Sequence, residues 1–479
     1  MNLTQHVIVN GGFRLPHELQ LAGMTKSPEN RPMSDIPRRK VTRTAKLASL
    51  PLGAIGRAAS GLGKRMTGSS AEEVASANQT KTAEQLFKVL GELKGGAMKI
   101  GQALSVLESA FPEGVAAPYR ASLTKLQDSA PPMSFDRVNE VMIEEFGTNW
   151  TERFQHFSEQ PAAAASLGQV HKAISKDGRE VAVKIQYPGA DKALLNDFEQ
   201  AVRFSRIAQP IAPGLDFKSL MNEMRVLLSE ELDYFREAGA QRVFANSYEG
   251  DVDVKIPHIL SATKHVLISE WLEGTPLSQI IENGTKSERD RAGSLYQTFL
   301  LSGPTRVGMM HADPHPGNFR MTADNKLGVL DFGAVARLPN GFPPAMGGLL
   351  AIAMTGDADA VIDVMRAENF ILPNVDISPT AVLDYLAPFT EPAQVPKFQF
   401  TRDWMREQFS RVNDPRNPDF STGLKMNLPP QYVLVHRVWL GCLGVLSQLN
   451  AEVAVRAEIE RSMPGFKTYF VNKESISAL

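Results

Sequence analysis

Apolar and polar residues follow different periods in different parts of the chain. Within residues 71–111, apolar residues recur every three or four positions, which predicts helix: Leu86, Val89, Leu90, Leu93, Met98, Ile100 and Leu104. Residues 169–175 and 180–186 instead alternate with a period of two around the polar turn 176–179, a pattern typical of a β-hairpin. The chain therefore combines helical segments with at least one antiparallel pair of strands.

The later pattern adds short strands and then many helices. Residues 190–247 predict a long helical stretch, 266–271 a short apolar strand and 287–301 another helix. Residues 319–321 and 327–330 predict two further strands, joined by a polar turn. Beyond this second hairpin the pattern is mostly helical. Strands first and helices later is the order of an α+β fold.

Composition limits the classes of function. The 479 residues are 43% hydrophobic and 22% charged, which fits a globular protein of two or three structural units. A net charge of −2 gives no general case for binding nucleic acid. The single cysteine, Cys442, excludes an internal disulfide and a cysteine-rich zinc site. No signal-peptide pattern and no run of ~18 apolar residues is found, so we expect a cytoplasmic protein with only peripheral membrane contact.

One segment differs in charge from the rest. Residues 38–65 contain many Lys and Arg residues, interleaved Leu and Ile residues, and no acidic residue. Such a segment suits a surface that binds anionic lipid at the inner face of a membrane. A solvated helix or linker that tolerates basic residues is an equally good interpretation, and the sequence leaves both open.

The most informative stretch is HADPHPGNFRMTADNKLGVLDFG, residues 311–333. Asp313 and Asn318 have the D-x-x-x-x-N spacing of a kinase catalytic loop, and Asp331 begins a D-F-G motif. The predicted hairpin between them would bring Asn318 and Asp331 to one point, where two oxygen donors suit Mg²⁺ and its bound phosphates. Asp313 would then face the group to be phosphorylated, or a water. The combined spacing disfavours the alternative, a polar loop beside a buried strand.

A candidate nucleotide lysine lies upstream. The sequence V-A-V-K ends at Lys184 and fits the strand lysine whose ammonium contacts nucleotide phosphates. Such a lysine needs a carboxylate from a helix, and residues 230–237 are rich in acids. Asp233 and Glu237 are four apart and predicted to share a helix face, whereas Glu231 points elsewhere. One acid would pair with the lysine and another would contact metal or the pocket; an ordinary solvated acidic face is the alternative.

The predicted phosphate loop departs from the usual glycine-rich pattern. In the register of G-x-G-x-x-G-x-V, Ala163 and Ala165 occupy the first two glycine positions, while Gly168 and Val170 match. Each alanine adds a Cβ that penalises positive φ and keeps the backbone farther from phosphate. We therefore expect a stiffer nucleotide-binding loop, formed by Ala163, Ala164, Ala165, Ser166, Gly168 and Val170.

These motifs together predict a bilobal protein-kinase-like fold. Glu270, Trp271 and Leu272 follow a short strand and would form the hinge that binds adenine through backbone groups. No A-P-E follows the D-F-G, and helices resume near Pro339, which leaves little platform for a peptide substrate. The predicted parts are an irregular lead and basic segment (1–80), a helical extension (81–160), the N-lobe through the hinge (161–274) and a helical C-lobe (275–479).

Three further motifs resemble the UbiB family of atypical kinase-like proteins, also called the AarF or ADCK family. Lys99-Ile100-Gly101-Gln102 resembles the family's K-x-G-Q motif, the alanine loop its A-rich loop, and Glu231-Leu232-Asp233 its E-x-D motif. The resemblance implies that the helix bearing Lys99 and Gln102 fills the pocket where a protein kinase takes its substrate. It also implies that Glu231 or Asp233 contacts Lys99, and that Glu237 pairs with Lys184.

The resemblance also implies a function. It indicates an enzyme that binds ATP and Mg²⁺, with ATPase or lipid and small-molecule kinase activity that supports isoprenoid-quinone biosynthesis at a membrane surface. Implied partners are nucleotide, anionic membrane or isoprenoid lipid, and biosynthetic proteins, but no nucleic acid. Two alternatives remain: an aminoglycoside- or choline-kinase-like phosphotransferase, and a nucleotide-dependent scaffold without catalysis. The sequence leaves the phosphate acceptor, the pathway and the oligomeric state open.

Overall fold

The computed structural model describes residues 132–165, 167–190, 195, 198–199, 202, 216–414 and 416–467. The predicted helix in 71–111, the basic segment 38–65, and the candidate residues Lys99, Gln102 and Ser166 lie outside the described residues. In the rest, the α+β architecture predicted from the sequence is confirmed, with a strand-rich N-lobe followed by a mostly helical C-lobe.

The N-lobe is built on an antiparallel sheet. Its strands are ordered β1 (Phe154–Phe157), β3 (Gly168–Ser175), β4 (Glu180–Gln186), β7 (Val266–Glu270) and β6 (Ile259–Ala262), and β2 (Ala163–Ala165) pairs with the N-terminal residues of β3. The predicted hairpin is β3–β4, in register from Gly168–Gln186 to Ile174–Glu180. In chain order the elements are α1 (Phe135–Phe146), β1 (Phe154–Phe157), β2 (Ala163–Ala165), β3 (Gly168–Ser175), β4 (Glu180–Gln186), α2 (Phe217–Glu231), α3 (Tyr234–Ser247), β5 (Val254–Lys255), β6 (Ile259–Ala262) and β7 (Val266–Glu270).

One face of this sheet is covered by α1. Val138 and Met142 of α1 and Trp150 in the following 3-10 turn are buried in one apolar cluster with Val181 and Val183 of β4. β1 also pairs with β3. Both α1 and β1 precede residue 161, so the packing of the N-lobe extends upstream of the boundary that the sequence predicts.

The C-lobe places small strands among many helices. In chain order its elements are β8 (Thr275–Pro276), α4 (Leu277–Asn283), α5 (Lys286–Val307), β9 (Met309–His311), β10 (Phe319–Met321), β11 (Leu327–Val329), β12 (Val335–Arg337), α6 (Pro344–Thr355), α7 (Ala358–Ala367), α8 (Pro379–Tyr385), α9 (Ala387–Thr390), β13 (Phe398–Gln399), α10 (Arg402–Asn413), α11 (Pro418–Lys425), α12 (Val433–Leu449), β14 (Glu452–Val453) and α13 (Val455–Ser462). The predicted second hairpin is β10–β11.

The predicted continuous helix across 190–247 is wrong in its last part. α2 ends at Glu231, and a new helix, α3, begins at Tyr234. Asp233 lies at the N-cap of α3, where its side chain accepts hydrogen bonds from the backbone N–H groups of Phe235 and Arg236. An aspartate can satisfy the unpaired N–H groups of a first turn, and this capping competes with helix continuation. The sequence predicted that Asp233 and Glu237 share a face of one helix. This prediction is wrong, because Asp233 is the N-cap of α3 and lies before its first turn.

Helix α12 crosses the core of the C-lobe. Within the described part of the chain, Pro430–Leu449 is a helical stretch that is long enough and apolar enough to span a membrane. Its mean hydropathy is 1.3. In the sequence, Arg437 interrupts the apolar run, so the length of this helix was not predicted. Yet 67% of the stretch is buried inside the fold, and a Cβ at Gly441 would lie 2.2 Å from Pro314 Cγ. It is packed as a core helix that touches the catalytic loop directly.

Candidate functional site

Lys184 is the centre of an ion-pair network between the lobes. Its Nζ lies 2.7 Å from Glu237 Oε1 and 3.1 Å from Asp331 Oδ2, and 5.3 Å from the ring centroid of Tyr234. β4 carries Lys184, α3 carries Glu237, and Asp331 follows β11. Three distant segments thus place one cation between two carboxylates.

The network fixes the charge of Lys184. Burial alone would lower the pKa of Lys184, because desolvation disfavours an ammonium. The carboxylates of Asp331 and Glu237 outweigh that effect and raise the pKa of Lys184 above its usual value. Lys184 is therefore a permanent cation, as a group that holds phosphate oxygens must be. Glu237 is only 3% exposed, and no other acid in residues 230–237 contacts Lys184 among the described contacts.

The catalytic-loop motif folds around Asp313. Asn318 Nδ2 donates to Asp313 Oδ2 at 2.9 Å, and Arg437 Nη2 donates to Asp313 Oδ1 at 2.9 Å. Both oxygens of the carboxylate are therefore engaged. The loop is further held by Tyr296, whose hydroxyl donates to the carbonyl of Pro314 at 2.6 Å. Asp313 is thus a positioned group rather than a loose one.

The D-F-G segment is held by backbone contacts. Asp331 has a positive φ of 57°, and its Oδ1 accepts from the N–H of Gly333 at 3.1 Å. Nε2 of His311 donates to the carbonyl of Asp331 at 2.8 Å, and burial lowers the pKa of His311. Neutral His311 therefore ties β9 to the D-F-G segment and fixes the unusual backbone of Asp331.

Asn318 and Asp331 fit a magnesium site whose other ligands are phosphate oxygens and waters. Leu330 N–H donates to the carbonyl of Asn318 at 2.8 Å, so the hairpin brings Asn318 beside Asp331. The amide nitrogen of Asn318 is used by Asp313, which leaves its amide oxygen as a hard ligand atom. Across the described residues, no group of three or more His, Cys, Asp or Glu could hold a metal alone. Mg²⁺ bound by one carboxylate and one amide would need nucleotide phosphates and waters as its other ligands.

The alanine-rich loop is a tight extension of the sheet. Ala163, Ala164 and Ala165 form β2 and pair with Val170, Gln169 and Gly168. A Cβ at Gly168 would lie 2.1 Å from the carbonyl oxygen of Ile185. The retained glycine is therefore required by close packing of β3 on β4. The alanine positions accept a Cβ because β2 is extended, not left-handed.

The predicted hinge is only partly available to a ligand. Glu270 N–H donates to the carbonyl of His258, and Trp271 N–H donates to the carbonyl of Glu180, both at 3.0 Å. Leu272 is 5% exposed and packs against Gly328 of β11. Among the described residues the backbone N–H of Leu272 makes no hydrogen bond.

The acidic segment separates into different roles. Asp233 caps α3, Glu230 pairs with Arg236, and Glu237 pairs with Lys184. Glu231 is the last residue of α2. The predicted contact of Glu231 or Asp233 with Lys99 stays a prediction, because Lys99 lies outside the described residues.

Two residues of the site were not predicted from the sequence. Arg437 lies 124 residues from Asp313 and inside an apolar helix, so its only signal was a lone charge within an apolar run. Tyr234 is 2% exposed below the ammonium of Lys184. Its adjacency to the acidic segment gave no sign of that role, since aromatic residues on helices are usually core residues.

The segment after the D-F-G is short, as predicted. β12 pairs with β9 at once, and α6 begins at Pro344. Gly333 and Pro344 are thus separated by one short strand and a turn. This arrangement leaves no extended activation segment in the described C-lobe.

Comparison with known proteins agrees with this geometry. Residues 125–365 match the description "ABC1 atypical kinase-like domain". The chain is 33% identical over 311 residues to uncharacterized protein slr1919 of Synechocystis, covering 62% of this chain and 53% of that protein. It is 29% identical over 365 residues to the mitochondrial atypical kinase coq-8 of Caenorhabditis elegans, covering 73% of this chain and 47% of that protein. The chain thus spans about half the length of these curated relatives.

A solved structure is similar over nearly its whole length. It is the complex of Rv3197 with erythromycin from Mycobacterium tuberculosis, with a TM-score of 0.62 and 41% identity. The match covers 83% of this chain and 99% of that one. The fold is therefore shared with a protein of known structure.

Proposed function

Because the chain belongs to the ABC1 atypical kinase-like family, which includes the UbiB, AarF and COQ8 proteins, we propose that it binds ATP with Mg²⁺ and transfers or hydrolyses the terminal phosphoryl group. The observation that carries this proposal is the contact of Lys184 with both Glu237 and Asp331. A cation between a helix carboxylate and the D-F-G aspartate is what nucleotide phosphates and their metal require. The short segment after Gly333 favours this class over an ordinary protein kinase, as do the relatives that are named atypical kinases.

Each residue has a distinct role in this proposal. Lys184, positioned by Glu237, holds the α- and β-phosphates, and Asp331 with Asn318 holds Mg²⁺. Mg²⁺ would neutralise charge on the phosphates during transfer. Asp313 orients the attacking hydroxyl or water. The alanine-rich segment 163–170 covers the phosphates, and the hinge 270–272 binds adenine.

Nucleotide protection tests the metal assignment directly. We expect MgATP to raise the thermal unfolding temperature of the wild-type protein and to leave that of Asp331→Asn unchanged, since the amide is a weaker Mg²⁺ ligand. Asp324→Asn, in the exposed turn between β10 and β11, is the matched control and should keep full protection. Undiminished protection of Asp331→Asn would contradict the metal assignment.

Turnover separates an enzyme from a scaffold. The alternative that the chain binds nucleotide without catalysis predicts that Asp313→Asn hydrolyses ATP as fast as the wild type. The catalytic proposal predicts a large loss with nucleotide protection retained, because Asp313 lies outside the Lys184 network. The bound carboxylate of Asp313 favours catalysis, since its geometry is already fixed by Asn318 and Arg437.

The phosphate acceptor is proposed from the relatives and from the basic segment. Relatives named COQ8 point towards isoprenoid-quinone biosynthesis, and the basic segment 38–65 would bring the chain to an anionic, isoprenoid-bearing membrane and its biosynthetic proteins. The K-x-G-Q residues Lys99 and Gln102 would then close the acceptor side of the site. Adding liposomes with anionic lipid should raise ATP turnover in the full chain, and neutral liposomes should not.

An aminoglycoside- or choline-kinase-like phosphotransferase is the remaining alternative. It shares the catalytic loop but lacks a K-x-G-Q helix, and the family match disfavours it. Product analysis with hydroxylated small molecules and [γ-³²P]ATP decides between the two, because this alternative requires a labelled soluble product.

A further inference from the structure

A cavity of about 190 Å³ lies within the C-lobe, away from the Lys184 network. Its walls come from α6, α7, α8, α9, α10, α11 and α12 and are mostly apolar; they include Leu349, Leu386, Phe389 and Met426. Large apolar side chains at the centre of a packed lobe normally fill such space. Space of this size, lined by apolar groups, admits one compact apolar molecule, since an apolar cavity of about 150 Å³ binds benzene.

Most polar groups in the wall already have partners. The Tyr432 hydroxyl donates to Glu368 Oε2 at 2.7 Å, and Asn427 Nδ2 donates to the carbonyl of Asn369 at 2.8 Å. These pairs neither need nor attract a ligand. The first of these pairs engages Glu368, the acid among the described residues of the wall.

Two residues of the wall each have a fully buried polar atom without a hydrogen-bond partner. Trp439 is 8% exposed, and its Nε1 is buried with no hydrogen-bond partner. The Nδ1 of His436, one helical turn away, is likewise buried and unpaired. Leaving a buried donor unsatisfied is unfavourable, so natural structures rarely keep one without a reason. An indole N–H only donates, and the group it lacks is therefore an acceptor oxygen.

We propose that this cavity binds a compact, mostly apolar ring compound with one acceptor oxygen, and that α12 transmits its occupancy to Asp313. The same helix lines the cavity with Val435, His436 and Trp439 and holds the catalytic loop with Arg437 and Gly441. A shift of α12 on ligand binding would move the guanidinium that fixes Asp313. The transmission rests on the proposed function, whereas the binding site does not.

The probes are acetophenone, which has an acceptor carbonyl, and ethylbenzene, a ring of similar shape without one. Saturating acetophenone should raise the unfolding temperature of the nucleotide-free protein on the order of 2 °C, and ethylbenzene should raise it less. Trp439→Phe keeps an aromatic wall but loses the donor, so both probes should then act equally. Trp404→Phe, whose indole N–H instead bonds Glu391 in α10 at 2.8 Å, is the control and should keep the preference.

A variant that fills the cavity provides a second test of the binding site. Ala353→Leu places a larger side chain in the wall of the cavity and should abolish protection by both probes. No protection of the wild type at saturation overturns the binding site, and undiminished protection of Ala353→Leu does the same. Equal protection of the wild type by both probes overturns the acceptor oxygen.

Turnover tests the transmission separately. Acetophenone should change ATP turnover of the wild type at least twofold and leave turnover of Ala353→Leu unaffected. Binding with unchanged turnover overturns the transmission alone. A protein that turns over no ATP, with or without acetophenone, refutes the proposed function while the binding measurement still decides on the cavity.

Discussion

Asp313 shows how single contacts decide chemistry at the residue scale. A kinase-type aspartate must orient a hydroxyl or water while its carboxylate stays ionised. Here a guanidinium and an amide engage its two oxygens, and the Arg437–Asp313 pair is mostly buried, with side chains 16% and 17% exposed. A charge-assisted bond at that burial is stronger than a surface ion pair. Arg437 is therefore a positioning residue for Asp313.

Replacing Arg437 should affect turnover more than nucleotide binding. We expect Arg437→Gln to lower kcat for ATP on the order of tenfold to a hundredfold, which matches the loss of one charged hydrogen bond. KM for ATP should change little, because Arg437 does not contact the Lys184 network. Steady-state kinetics with Arg437→Lys as the conservative variant measures both. A raised KM with an unchanged kcat would refute the role.

At the element scale, the break between α2 and α3 positions the partner of Lys184. Asp233 starts α3, and Glu237 lies in its first turn. A carboxylate in a first turn is favoured by the helix dipole. From this first turn Glu237 reaches Lys184 on β4.

Removal of the cap should therefore weaken both stability and nucleotide affinity. Asp233→Ala should lower the free energy of unfolding by about 1 kcal/mol, the usual cost of losing an N-cap, and should raise KM for ATP. Asp357→Ala removes the N-cap of α7, far from the network, and is the matched control. Urea unfolding and steady-state kinetics measure the two effects. An equal change of KM in both variants would contradict the role of α3.

At the scale of the whole molecule, three neutral histidines make stability depend on pH. Burial lowers the pKa of His171, of His311 and of His436, the last to about 4. The unfolded chain protonates these side chains near pH 6.5, while the folded chain resists protonation. Protonation therefore favours the unfolded state. The folded state keeps its full stability above pH 6.5, and its stability decreases as the pH falls from 6.5 towards 4.

Urea unfolding at several pH values tests that dependence. The wild-type midpoint should fall between pH 7 and pH 4.5, and His436 alone should account for at most about 3 kcal/mol of the loss. His436→Leu should make the dependence shallower. His156→Gln, at an exposed position of β1, should leave the slope unchanged. A wild-type midpoint that is constant over this range would refute the assignment.

The sequence by itself determined the local parts of this protein. Its hairpins are set by two-residue periodicity and turn residues, so β3–β4 and β10–β11 were predicted within a residue of their ends. Motif spacing placed Asn318 near Asp331, because a short hairpin joins them. The lysine and its glutamate were also predicted, although the choice of Glu237 came from family resemblance, since spacing alone left several acids equivalent.

Only the tertiary structure decided which distant groups meet. Arg437 reaches Asp313 across 124 residues, and no periodicity encodes such a contact. Asp233 lies at an N-cap, and the helix that begins after it packs on the sheet through Tyr234 and Ala238 against Leu267. The apolar stretch at 430–449 became a core helix with a cavity at its side. Side-chain period fixes the face that an element buries, whereas the partner of that face depends on how the whole chain packs.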